Sequence, residues 1–367
     1  MHKLSFNPSS GPTIGVELEL QILSASKFKL SSSAPNILSS IDHSFEGRIK
    51  PEFIQSMVEI NTGICKDVSE VEEDLRESYR HLEEVAERYG CFVYAASLHP
   101  FSQGKEQKLT DHPRYRRIMG ELQLVGKRFI TQGLHVHIGI KSAQQAIDVT
   151  NIIRAFLPML LALTTSSPYY EGVDTGLLSY RTKLFEALPL AGIPDSIDNW
   201  STYVRLVDIL IHGGIIESFK DLWWDVRPHP DFGTVEVRVC DIPSSMRDIL
   251  TITATIQALI VAISERREYH LPHIQVLRAN KWQAARHGLD GVFVDSEKHK
   301  SIPMSEAIEE LYEFLRPIAK ELGSIKYLEG IKDILKRKTS AHLQKKIYSN
   351  GGSFEKVIDK IRRGFWL

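Results

Sequence analysis

Three short stretches of the chain alternate aliphatic and polar residues at a period of two: TIGVELELQI at 13–22, GLHVHIGI at 133–140 and TVEVRV at 234–239. Successive side chains of an extended strand point to opposite faces. Ile14, Val16, Leu18, Leu20 and Ile22 therefore share one face of the first strand, and Glu17, Glu19 and Gln21 the other. In the second strand Leu134, Val136, Ile138 and Ile140 oppose His135 and His137; in the third, Val235, Val237 and Val239 oppose Glu236 and Arg238. Ionisable groups are costly to bury unless paired or bound to metal, so the repeated polar register asks for a ligand. Further strands are expected at 54–60 and 91–98.

Helical spacing fills the intervals. Val71–Tyr89 is charge-laced, with Ser69 and Glu72 at capping-box spacing and Gly90 as its stop. A second amphipathic helix is expected over 115–130, leading into the histidine strand, and a long apolar one over 143–164. The serine-rich stretch 24–40 reads as a loop, and 166–197, rich in proline and glycine, as a long binding loop. From Met304 onward three helical stretches follow one another, their lysines and arginines forming a solvated face. Strands separated by helices of unequal length predict an α+β fold: a curved, mostly antiparallel sheet with helices on one face and a polar, concave site on the other. One catalytic domain over 1–367 is expected, with the 304–367 helical segment packed on its core.

Composition narrows the setting. The 367 residues are 43% hydrophobic and 25% charged with a formal net charge of -1, which offers no basic excess for nucleic acid or an anionic membrane. Cys65, Cys91 and Cys240 are widely spaced with no CxxC, as in a reduced cytoplasmic protein. The apolar runs 152–163 and 249–263 fall short of the roughly 18 to 20 residues of a membrane span.

The chemistry follows from the polar register. Glu17 and Glu19 stand about 6.6 Å apart along their strand, close enough to share one hard cation or serve two. Glu59 and Glu236 add two carboxylates, and Glu52 a fifth. Such a set repels itself unless metal is present, and oxygen donors with an imidazole suit magnesium, or manganese in its place, better than zinc. A carboxylate-lined magnesium bowl with arginines suits phosphoryl transfer. The ordinary nucleotide motifs are missing: GELQLVGK at 120–127 has five residues between its glycines and Arg128 after its lysine, and neither GxGxxG nor GxSxG occurs.

GVELE, QSMVEINTGIC, GLHVHIG, SSPYYEGVDTGLLSYRTKLF, WWDVRPHPDFGTVEVRVCDIP and NKWQAARHGLDG, spread over 12–291, resemble the glutamate-cysteine ligase type 2 family of carboxylate-amine ligases. The ExE, HxH and ExR elements are similar to those of glutamine synthetase, whose catalytic fold that family shares. The resemblance implies an ATP-dependent ligase that forms an amide, with glutamate and cysteine or another amine as substrates, through an acyl phosphate. It implies Glu17, Glu19, Glu59, His135 and Glu236 as magnesium ligands, with Glu52 matching an acidic position of the wider superfamily. His137 would face the ATP phosphates, Arg238 the carboxyl substrate or the transferring phosphoryl group, and Glu236, Arg238 and His137 would be the catalytic set. Arg181 and Arg227 are anion-binding candidates, for substrate and nucleotide respectively, or ion pairs supporting a loop. Arg286 and Asn280 match a family motif, Arg286 as a further nucleotide contact. Relatives of this kind imply a homo-oligomer. Two rivals remain: a hydrolase binding zinc through His135 and His137, and a non-catalytic sensor on the same fold.

Overall fold

A computed structural model of the protein describes residues 4–265 and 269–366. Among these, eleven strands form: β1 (Ile14–Ser24), β2 (Ile49–Pro51), β3 (Met57–Asn61), β4 (Cys91–Tyr94), β5 (Leu134–Gly139), β6 (Tyr169–Tyr170), β7 (Val173–Asp174), β8 (Val226–His229), β9 (Thr234–Val237), β10 (Val292–Asp295) and β11 (Lys300–Pro303). Seven make one sheet in the order β2-β3-β1-β5-β9-β8, with β4 beside the later half of β1. Every pairing in it is antiparallel. The sheet and its helices give the expected α+β class.

The helices are α1 (Ala34–Leu38), α2 (Val68–Arg88), α3 (Pro113–Leu122), α4 (Leu124–Lys127), α5 (Ala143–Ile153), α6 (Leu157–Thr164), α7 (Arg181–Glu186), α8 (Trp200–His212), α9 (Met246–Glu265) and α10 (Ile274–His287). They continue as α11 (Met304–Glu321), α12 (Ile325–Leu328), α13 (Gly330–Arg337), α14 (Ser340–Ser349) and α15 (Phe354–Gly364). The aliphatic register of β1, β5 and β9 is fully buried and packs with α2, α5 and α9 into one large core. The central helix, α9, is long and apolar enough to cross a membrane by length and composition, exceeding the expected run, but 89% of its apolar window is buried inside the protein. Its outer side lies against α11, α12 and α13, and α15 against β4.

Several expected boundaries shift for identifiable reasons. The cap of α2 is Asp67, whose carboxylate accepts the backbone N–H of Ser69 and Glu70; Glu72 instead receives Arg76 and the Tyr327 hydroxyl. The 115–130 helix breaks at Gln123, held at φ 49°, and its second piece ends at Lys127. The 143–164 helix splits into α5 and α6, bent by 65°. Pro158 has no N–H to continue the ladder, and its ring would crowd the carbonyl of Arg154. Strand β4 stops at Tyr94, short of Leu98. The 166–197 loop holds the β6–β7 hairpin and α7, and the 24–40 loop holds α1.

Candidate active site

Register brings the polar residues together. Glu17 lies opposite His135, Glu19 opposite Glu59, and His137 opposite Glu236, which in turn faces Arg227 of β8. Because each pair sits on the same side of the pleat, five neighbouring strands, β3, β1, β5, β9 and β8, project one continuous set of side chains. Glu17, Glu19, Glu52, Glu59, His135, Arg227, Glu236 and Arg238 all line one cavity of about 370 Å³. His137 lines an adjoining cavity of about 640 Å³ on the other side of Glu17, floored by the chain around Ser9, Thr13 and Gly15. Gln21 shares the register but is covered, its amide donating to Ala96 O and to Gln132, so the polar face is open only over part of β1.

Two groups of three donors stand out. Glu17, His135 and Glu236 offer ligand atoms within 4.8 Å of one another, and so do Glu19, Glu52 and Glu59. His135 Nδ1 is 3.2 Å from Glu17 Oε2, and the Nε2 atoms of both His135 and His137 are buried without a hydrogen-bond partner. Burial, together with Arg238, pushes His135 down to about 4, so its ring is uncharged at neutral pH and can offer a lone pair. Five carboxylates, an imidazole and an orphaned ring nitrogen fit hard divalent cations, whose octahedral ligand atoms lie about 3 to 4 Å apart.

The electrostatics divide along the same line. Burial raises Glu19 to about 7 against the pull of Arg181, and burial with the nearby Glu19 raises Glu52 to about 7. Glu59, buried beside Glu17 and Glu52, is pushed well above the usual carboxylate range. Glu17 is the reverse: burial opposes ionisation, but the imidazoles of His137 and His135 outweigh it and hold the group low. Glu236 is also held low despite burial, by Arg227 and Arg238. Arg227 Nε donates to Glu236 Oε2 at 2.7 Å, and the Arg238 guanidinium donates to Glu236 Oε1. Arg227 thereby proves to be both a cavity residue and a structural ion pair, its Nη1 also bonded to Lys220 O and Leu222 O.

Two of the expected site residues lie outside the cavity lining. Arg181 is buried behind the cavity, not in its lining; its guanidinium donates to the carbonyls of Arg238 and Val239 and lies 4.7 Å from the Phe185 ring centre. It clamps the strand end that carries Arg238. Gly133 permits this, since a Cβ there would sit 2.4 Å from Arg181 Nη2 and 2.9 Å from His135 Nε2. Arg286 is exposed on α10, outside the cavity, in the field of Asp174. Its motif neighbour Asn280 is structural, exchanging two hydrogen bonds with the backbone of Val294.

Three further residues of consequence carry no sequence signal of their own. Asp241, fully buried, accepts from Ser166 N, Ser167 Oγ and Ser179 Oγ and so fixes the 166–181 loop against the sheet. Lys281, in the same motif as Asn280, is buried with its ammonium 2.5 Å from Asp225 and 3.0 Å from Glu186. Asp225 in turn accepts the backbone N–H of Arg238 at its carbonyl, 2.8 Å away. A lysine in an amphipathic helix reads as surface until its two carboxylate partners, 56 and 95 residues away, are seen.

The same fold occurs in solved structures. A glutamate–cysteine ligase of Francisella tularensis in complex with AMP superposes with a TM-score of 0.73 over 98% of this chain and 89% of that one, at 15% identity. A bifunctional glutathione synthetase of Pasteurella multocida gives 0.72 over 96% of this chain and 52% of that one, at 14% identity. Fold and cavity together define a class: an α+β catalytic domain that gathers carboxylates, imidazoles and guanidinium groups on one sheet face. The model of glutamate-cysteine ligase family 2 matches residues 13–359, and the chain belongs to that family. The match runs well past the 12–291 core that the motifs mark and takes in the C-terminal helices. Relatives provisionally named glutamate–cysteine ligase 2 include one from Gloeobacter violaceus, 40% identical over 98% of this chain and 99% of its own, and one from Sorangium cellulosum, 39% identical over 95% of each. The protein is accordingly an ATP-dependent carboxylate–amine ligase.

Proposed function

We propose that the protein joins the γ-carboxylate of glutamate to an amine through an acyl phosphate, with magnesium held by its two carboxylate groups. The observation that carries this reading is the pair of three-donor clusters on either side of the Glu17–Glu19 strand, with Arg238 over Glu236 beside them. A carboxylate oxygen attacks the γ-phosphorus of ATP and ADP leaves; the amine then attacks the acyl carbon, loses a proton and expels phosphate. Glu17, His135 and Glu236 would hold one ion, and Glu19, Glu52 and Glu59 another. When bound, these ions neutralise phosphate charge and polarise the transferring group. Arg238 keeps a cation beside the bowl, and its geometry suits an anionic carboxyl or phosphoryl group. Arg227 holds Glu236 ionised and oriented. His137, anchored through Nδ1 to Thr234 Oγ1 at 3.0 Å, turns Nε2 toward Glu17 at 3.4 Å, at the junction with the adjoining cavity, where the nucleotide phosphates would lie.

A hydrolase holding zinc between His135 and His137 is less favoured, since His135 alone joins a three-donor cluster. The deciding experiment measures ADP release from purified protein with ATP, magnesium, glutamate and a panel of amines. Stimulation by an amine, lost in Glu17→Gln and Glu236→Gln, supports the reading. Tightly bound zinc with no ATP-dependent turnover refutes it.

A further inference from the structure

The cavity that holds the carboxylates has a second wall of opposite character. Phe53, Leu122, Phe129, Phe185, Leu188 and Trp223 line the same space as Glu19, Glu52 and Glu59. They come from four separate segments and form a joined apolar cluster. We infer that this wall is the pocket for the amine substrate's side chain, and that the amine carries a bulky aliphatic or aromatic group in place of cysteine's short thiol. The inference rests on the ligase reading and specifies its amine.

Contacts within the protein brace this wall. Phe53 and Phe129 meet edge to face at 6.2 Å, Phe129 and Phe185 at 4.8 Å, and Arg181 caps Phe185. Lys281 fastens Glu186, between Phe185 and Leu188, to Asp225, two residues after Trp223. The ring-bearing segments are thus braced against one another, which favours a ligand that fills the space without reorganisation.

Elimination points the same way. Glutamate is charged at both ends and belongs beside Arg238 and the ions. The triphosphate belongs by Glu17 and His137, from which the larger adjoining cavity extends away from the rings, and none of the six wall residues lines that cavity. What remains for the apolar wall is the amine. A cysteine side chain would leave most of it uncovered, whereas each methylene placed on such a surface discriminates by about 10- to 200-fold.

The test compares leucine, phenylalanine and phenethylamine with cysteine, glycine and lysine, with ATP, magnesium and glutamate at saturation, following ADP and the mass of the amide. Expected is a kcat/KM for the best apolar amine at least about tenfold above that for cysteine. Phe129→Ala and Trp223→Ala, on different segments, should each raise KM for that amine by about tenfold or more and leave KM for ATP and glutamate within about twofold. Thermal melts establish that each variant is folded, and either one alone suffices for the comparison. ADP release supported by cysteine or glycine in preference overturns the inference and leaves the ligase reading standing. An increase in KM for ATP in place of KM for the amine assigns the wall to the base and also overturns it. Turnover that no amine stimulates would refute the ligase reading itself, and the inference with it.

Discussion

Replacing Lys281 with methionine removes the ammonium that Asp225 and Glu186 share. Breaking one side of a buried ion pair costs about 3–5 kcal/mol, because the abandoned charge stays desolvated. The two carboxylates contribute unequally. Glu186 is 32% exposed and keeps Lys183 at 2.5 Å, so it relaxes toward water at little cost. Asp225, at 9% exposed, has Lys281 as the cation on its carboxylate and bears most of the loss. The expected destabilisation is therefore about 3 kcal/mol, a large fraction of the 5–15 kcal/mol typical of a folded protein. In Lys281→Met/Asp225→Leu, which replaces the pair with apolar groups, most of that loss should return. Urea unfolding at pH 7, followed by circular dichroism, measures both. A single variant within about 1 kcal/mol of the parent, or a double variant no better than the single, would show that the pair is not what holds Asp225. A functional readout accompanies it: Asp225 anchors the backbone of Arg238, so the folded single variant should lose kcat/KM for the carboxyl substrate more than affinity for ATP.

Three other outcomes follow from the geometry. Glu59→Gln relieves crowding among Glu17, Glu52 and Glu59, so it should raise the melting temperature of metal-free protein while weakening magnesium activation by about 10- to 100-fold, read by calorimetry and by activity against magnesium concentration. Gly133→Ala should lower kcat by at least about tenfold with a near-parental fold, since the added Cβ meets Arg181 and His135; a parental kcat would contradict the clamp. His99 is buried neutral: Nε2 donates to Phe28 O at 2.8 Å, and Nδ1 accepts from the backbone of Phe101 and Ser102. Burial lowers it from 6.5 to about 3, so below pH 6.5 the unfolded chain takes up a proton that the native one refuses. Stability falls with pH through this window, by about 2 to 3 kcal/mol at about pH 4.5, and a His99→Gln variant should show a correspondingly shallower loss in urea titrations compared at about pH 7 and about pH 4.5.

What the chain declares by itself is whatever a period of two can encode. The aliphatic register of β1, β5 and β9 specifies the core face, and pairing then sets Glu17 against His135 and His137 against Glu236 without further information. The misses are residues whose meaning depends on distant partners. Arg181 has the composition of an anion site and the position of a clamp, because Gly133 leaves room behind His135. Gln21 obeys the alternation yet is roofed by Ala96 and Gln132. The helix expected over 143–164 carries polar residues as far as Arg154 and is apolar from Ala155 to Leu163, and the bend that Pro158 imposes falls near that change. The apolar wall is spread over positions 53, 122–129, 185–188 and 223, each an unremarked hydrophobic residue in its own segment.

Helix α9 has a consequence for how the chain is made. Its twenty residues are covered on one side by α2, α5 and β5, all synthesised before it, and on the other by α11, α12 and α13, which end at Arg337. During translation the helix therefore emerges with half its apolar surface bare, and some seventy further residues must leave the ribosome before the cover exists. At about 5–20 residues per second that interval lasts seconds, long on the scale of hydrophobic collapse. A chain stopped after residue 291 would carry the whole carboxylate bowl and keep that flank of α9 open, and should be recovered in aggregates.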